Sequence, residues 1–185
     1  MKTLIYILST TLSLVATPVE AKPQILSGNS AKQIETSFNK TNGNGHQWKL
    51  QSDQAFEIDL NSGTLSHAVF APFKDNEVQF VLLKAGGGGV LQILPKSDLA
   101  VVSLFSFKKV NAVSFKDING DGTKDIFVMA SYFDSRPVQG DGIGGGTTKV
   151  GFAFISNKDQ FSLDENCGED IGTLAELEKC VRKKP

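Results

Sequence analysis

The chain is poor in the residues on which catalysis, zinc binding or nucleic-acid recognition usually rest. It holds two cysteines, Cys167 and Cys180, and two histidines, His46 and His67. Zinc sites repeat such ligands at short spacings, and two cysteines with two distant histidines do not. Neither histidine accompanies a Gly-x-Ser-x-Gly turn; His67 reads as a strand residue and His46 lies beside a glycine-rich break. General acid–base chemistry needs oriented partners, and no carboxylate pair stands out as a glycosidase requires. The chain is therefore read as a non-enzyme. A surplus of one charge is also missing. The formal net charge is −1, without the basic stripe that a nucleic-acid partner demands. No apolar run after the first residues is long enough to span a bilayer, which takes roughly 20 residues as a helix, so no membrane span is expected in the mature chain.

What is present begins with an export signal. Lys2 starts the chain with positive charge, an apolar run extends from Leu4 to Ala16, Pro18 breaks it, and Val19-Glu20-Ala21 ends in a small residue. That order matches a secretory signal peptide over residues 1–21, leaving residues 22–185 as a single domain, secreted or periplasmic. The residue immediately after the cleavage point is Lys22 rather than cysteine, which argues against a lipid anchor. In an oxidising compartment disulfides persist, and two cysteines allow one intramolecular pairing, Cys167 with Cys180. Closing so short a loop stabilises by about 3 kcal/mol in the chain-entropy model. Two free buried thiols are the alternative.

The remaining sequence predicts a mainly β fold, a small antiparallel sheet assembly of blade-like units with short N- and C-terminal helices. Ser30 and Gln33 have capping-box spacing, with Ala31, Ile34 and Phe38 on one face, until Asn42-Gly43-Asn44-Gly45 ends the helix. The expected strands are Ala55–Leu60, Leu65–Phe70, Val78–Ala85, Val90–Leu94, Leu99–Phe105, Val110–Phe115, Asp125–Phe133, Lys149–Ser156 and Gln160–Leu163, separated by turn clusters. Continuous apolar runs such as Phe80-Val81-Leu82-Leu83 and Ile126-Phe127-Val128-Met129-Ala130 fit strands covered on both faces. Gly86 to Gly89 reads as a flexible hairpin tip. Thr173 and Glu176 form a second capping box, ahead of Leu174, Leu177 and Val181 on one helix face. Trp48 and the 13 phenylalanines read as core rather than as a ligand platform. Asn39-Lys40-Thr41 is a glycosylation sequon, meaningful only in a eukaryotic source.

One segment carries chemistry. Asp117, Asn119, Asp121 and Asp125 occupy positions 1, 3, 5 and 9 of a loop with Gly122 at position 6. Calcium takes about 6–8 oxygen ligands, and a chain wrapping a small cation turns alternate side chains inward. Gly122 allows the positive φ of a sharp turn, and Thr123 supplies its backbone carbonyl. Three carboxylates and an amide suit a hard cation, so the expected cofactor is one structural Ca²⁺. The competing reading is an Asx-rich turn that binds nothing. An EF-hand is excluded, because Val128 stands where a bidentate Glu is required and the flanks read as strands.

The segment Phe115-Lys116-Asp117-Ile118-Asn119-Gly120-Asp121-Gly122-Thr123-Lys124-Asp125-Ile126-Phe127-Val128 resembles the calcium loops of FG-GAP and VCBS repeats, known from integrin-type β-propellers and bacterial surface proteins. Phe154 to Phe161 is similar to the hairpin that ends such a repeat. The resemblance spans about residues 110–163 and implies that Asp117, Asn119, Asp121 and Asp125 hold the ion. A degenerate echo, Ala71-Pro72-Phe73-Lys74-Asp75 against Val113-Ser114-Phe115-Lys116-Asp117, suggests a duplication. Propellers need about 4–8 blades, so two units imply a smaller assembly.

The stretch from Asp134 to Thr148 is the longest expected insertion. Its glycines lack the Lys-Ser/Thr ending of a phosphate loop. Long loops often carry recognition, and Asp134, Arg136, Asp141, Gly142 and Gly144 are its candidate contact residues. The function expected from the whole is a calcium-stabilised binding module that contacts a protein or glycan through surface loops. The alternative is an export-compartment inhibitor or immunity protein that plugs a partner enzyme; a hydrolase ranks third.

Overall fold

The computed structural model describes residues 23–26, 28–97, 105–134, 146–157, 160–168 and 171–182. The expected signal peptide and most of the expected strand Leu99–Phe105 lie outside them. The elements are β1 (Gln24–Ile25), α1 (Gly28–Asn42), β2 (Lys49–Leu50), β3 (Phe56–Ile58), β4 (Ala68–Lys74), β5 (Val78–Lys84), β6 (Val90–Ile93), β7 (Phe105–Lys116), β8 (Asp125–Asp134), β9 (Gly146–Asn157), β10 (Gln160–Leu163) and α2 (Leu174–Arg182).

These strands form two antiparallel sheets. The first runs β1-β3-β4-β5-β6, with β2 also pairing β4; the second runs β10-β9-β8-β7. Each therefore contains a four-stranded meander. The central strands are apolar on both sides because both sides are covered. Phe70, Phe80 and Leu82 of the first sheet meet Ile126, Val128, Tyr132, Phe152 and Phe154 of the second in a shared inner core. Val69, Ala71, Phe73, Val81 and Leu83 point the other way, onto Ile34 and Phe38 of α1. Phe127, Met129 and Ala153 point outward onto Leu177 and Val181 of α2. The result is four layers, helix–sheet–sheet–helix. Much of the inner core is aromatic: Phe80 meets Phe152 and Phe154 at ring-centroid distances of 5.3 and 5.6 Å, and Phe115 meets Phe56 and Phe70 at 5.8 Å each. Edge-to-face pairs of this kind contribute about 0.5–1.5 kcal/mol each beyond their burial.

Two glutamines join the edges of the sandwich. On one side Gln92 of β6 donates to the Phe161 carbonyl and accepts from the Phe161 N–H of β10. On the other, Gln51 accepts from the Val110 N–H of β7, and Lys74 donates to the Lys108 carbonyl. Exposed strand edges template unwanted pairing, and these side chains occupy part of both edges.

Several boundaries differ from the sequence reading. Helix α1 begins at Gly28, at φ +58°, so Ser30 lies inside the helix rather than at its cap. Leu65 sits in a 3₁₀ turn over Gly63–Leu65, and the strand after it starts at Ala68. Strand β7 runs unbroken from Phe105 to Lys116, so the expected strand Val110–Phe115 begins earlier, with two register shifts against β8. Gly86–Gly89 forms the hairpin turn between β5 and β6, as expected, and part of it packs under α1. A 3₁₀ turn covers Ala85–Gly87, and a Cβ on Gly87 would stand 2.4 Å from Ile34 Cγ1 of α1. The Phe-Lys-Asp echo is out of phase: Phe73 faces α1, whereas Phe115 faces the inner core. In the sequon, Asn39 is committed to the fold, accepting from the Trp48 N–H and donating to the carbonyls of Trp48 and Glu35.

Candidate metal centre

The loop 117–124 joins β7 to β8, closed by the register pair Lys116 and Asp125. Each acidic position organises it. Asp117 accepts from the N–H groups of Gly120 and Gly122 at 2.7 and 2.9 Å. Asn119 Oδ1 accepts from the Asp121 N–H, and its Nδ2 donates to Asp121 Oδ2. Asp121 Oδ1 accepts from the Thr123 N–H at 2.7 Å. Asp125 is fully buried and accepts from the Ile118 N–H at 2.8 Å. Gly122 has φ +88°, where a side chain is strained.

Ser156 of β9, absent from the expected ligand set, ties the loop together. Its hydroxyl donates to Asp121 Oδ2 at 2.8 Å, its N–H donates to Asp125 Oδ1 at 2.8 Å, and its carbonyl accepts from Asn119 Nδ2 at 3.2 Å. No sequence signal marks it, since a serine near a strand end resembles any other. Two further attachments fasten the loop to the rest of the molecule. The Lys124 N–H donates to the Leu60 carbonyl, just beyond β3 of the other sheet. Ile118 packs against the outer core beneath α2.

The electrostatics are divided. Burial pushes the Asp125 carboxyl above its ordinary value, against the Ser156 and Ile118 N–H groups, and the Asp121 charge adds to the rise. Desolvation also pulls Asp121 upward, but the Thr123 N–H, the Ser156 hydroxyl and the Asn119 amide together hold it below the ordinary value. Lys116, at the end of β7, pairs with Glu178 of α2, and the Lys124 side chain inside the loop is buried. The donor set is all oxygen and anionic, with a buried carboxylate that a divalent cation would stabilise. Among the described residues, no three of His, Cys, Asp and Glu converge as a ready cage. An ion here would also need the Asn119 and Thr123 oxygens, and would use carboxylate lone pairs left over from the N–H groups.

Of the other expected contact residues, only Asp134 falls among the described residues. Asp134 ends β8 and pairs with Gly146, so the insertion shortens to 135–145, and Thr147 and Thr148 belong to β9. Arg136, Asp141, Gly142 and Gly144 lie outside the described residues. Cys167 and Cys180 form a disulfide with their Cα atoms 5.8 Å apart. It fixes α2 to the turn after β10 and fits an oxidising compartment. No helix among the described residues is long and apolar enough to cross a membrane.

No family model, curated protein or solved structure matches the chain.

Proposed function

We propose that this is an exported binding module, secreted or periplasmic, whose 117–125 loop holds one structural Ca²⁺ and whose surface loops contact a protein or glycan. The observation that carries the ion is Asp125, a carboxylate with no exposed surface whose charge is disfavoured by burial and by the neighbouring Asp121. Collecting carboxylates is unfavourable unless a cation offsets their repulsion. Asp117, Asn119, Asp121, Asp125 and the Thr123 carbonyl are the proposed ligands. Contact through loops is favoured because α1 packs on the outer face of the first sheet and α2 on that of the second.

Extracellular calcium modules bind in the range of roughly 10⁻⁴–10⁻³ M. Calcium at about ten times such a constant adds on the order of 1.4 kcal/mol of stability, a rise of a few degrees in Tm for a domain of this size. Calorimetry on chelated protein should show that rise when calcium is added. Asp117→Ala or Asp121→Ala should remove it, while the exposed Asp53→Ala should keep it. An unchanged wild-type Tm defeats the calcium reading. For the partner, tagged protein should capture a protein or glycan from an extracellular or periplasmic fraction. Stoichiometric capture of one enzyme, with loss of that enzyme's activity, would replace the binding-module reading with an inhibitor.

A further inference from the structure

The loop and helix α2 are joined through Ile118 and through the strands on either side of the loop. Ile118 uses its N–H to hold the buried Asp125 carboxylate, while its side chain packs on the cluster formed by Phe127, Met129, Leu177, Val181 and Cys167. Lys116, the last residue of β7 before the loop, pairs with Glu178 of α2 at 2.6 Å. Ser114, two residues earlier, donates to the other Glu178 oxygen. On β9, Ile155 packs on the same cluster and Ser156 clamps Asp121 and Asp125. Helix α2 spans only Leu174–Arg182. Helices that short are marginal without tertiary support, and the Cys167–Cys180 bridge is the covalent part of that support.

From this geometry we infer that the intact disulfide sets the calcium affinity of the 117–125 loop, acting through α2 and Ile118; the inference rests on the calcium reading above. A dithiol reductant opens the bridge. Its two thiols deliver two electrons and two protons, the Sγ–Sγ bond breaks, Cys167 and Cys180 become thiols, and the reductant leaves as its cyclic disulfide. Helix α2 then loses its anchor, Ile118 loses the surface that positions its N–H, and Asp125 is held less firmly for the ion. Linkage makes the effect reciprocal: calcium must disfavour reduction by the same factor.

Calcium titrations of the oxidised and dithiol-reduced full chain are the test. Allosteric couplings typically amount to about fivefold or more, so reduction should raise the calcium Kd at least fivefold. In a dithiol redox buffer, saturating calcium should shift the oxidised-to-reduced ratio of wild-type protein by an equal factor toward the disulfide. That second measurement stands even if the reduced protein is too unstable to titrate. Ile118→Ala, with the disulfide intact, should also weaken calcium binding and shrink the shift. Equal Kd values in the two redox states, or a redox ratio that ignores calcium, overturn the coupling and leave the calcium site standing. Oxidised protein that binds no calcium overturns both.

Discussion

At the scale of single residues, position in the layers decides what a polar atom can do. Asp125 and Tyr132 lie on the same strand, and both are buried. Asp125 has N–H partners on both oxygens, whereas the Tyr132 hydroxyl sits within the inner core with no hydrogen-bond partner among the described residues. Burial pushes the Tyr132 hydroxyl well above its ordinary value, with the Glu77 charge adding to the rise. Because the folded state favours the protonated form, this contribution to stability is fully present below the unfolded pKa of about 10 and is lost as pH rises beyond it. Tyr132→Phe should keep the ring contacts with Phe107 and Phe152 and remove the unpaired hydroxyl. An unsatisfied buried group costs about 1–3 kcal/mol, so this variant should be at least as stable as wild type at neutral pH. Its denaturant midpoint should fall less steeply above pH 10. The chain has one other tyrosine, Tyr6, so protein starting at Lys22 lets absorbance follow Tyr132 alone. Tyrosinate forming in folded protein near pH 10 would contradict the buried assignment.

At the scale of elements, short segments hold because something external stops them fraying. In α2 the Glu176 N–H donates to the Thr173 hydroxyl, and the Glu176 carboxylate accepts from the N–H groups of Gly172 and Thr173. That capping box was legible as Thr173 and Glu176. The fit of the β5–β6 turn under α1 was not. Gly87 combines φ +73° with a Cβ position inside the Ile34 side chain. Gly87→Ala must move Ile34 or the turn, and overpacking of this kind costs about 1–3 kcal/mol, with the left-handed conformation adding about 1 more. Gly88→Ala is the fitting comparison: its Cβ would meet only the Ala85 carbonyl, at 3.9 Å. Chemical denaturation should show Gly87→Ala much the less stable of the two. Equal midpoints would mean that α1 does not rest on that turn.

At the scale of the whole molecule, the two sheets meet through phenylalanine, and each is roofed by one helix on its outer face. The 117–125 loop is bonded to both sheets, through the Ser156 contacts on β9 and the Leu60 carbonyl beyond β3. Calcium should therefore raise one cooperative unfolding transition rather than a local one. Scanning calorimetry that showed a separate low-temperature transition responding alone to calcium would contradict that. Export is tested by the mass of the protein recovered outside the cytoplasm. It should correspond to a chain starting at Lys22, and a mass that retains residues 1–21 would remove the signal-peptide reading.

Local chemistry written in consecutive residues was readable before any fold was known. The two-sided burial of β5 and β8 follows from unbroken apolar runs, because a strand alternates faces at every residue. The 117–125 turn follows from Asx residues and glycines that bond their own backbone. The Cys167–Cys180 pairing follows from there being only two cysteines and from the expected export signal. Only the tertiary structure decided the rest. Ser156 lies 31 residues from Asp125, and Leu60, Gln51 and Gln92 reach partners far along the chain. Phe73 and its echo Phe115 face different layers for a related reason. Face assignment depends on register, a one-residue slip turns every side chain over, and register is set by the strands alongside rather than by the segment itself.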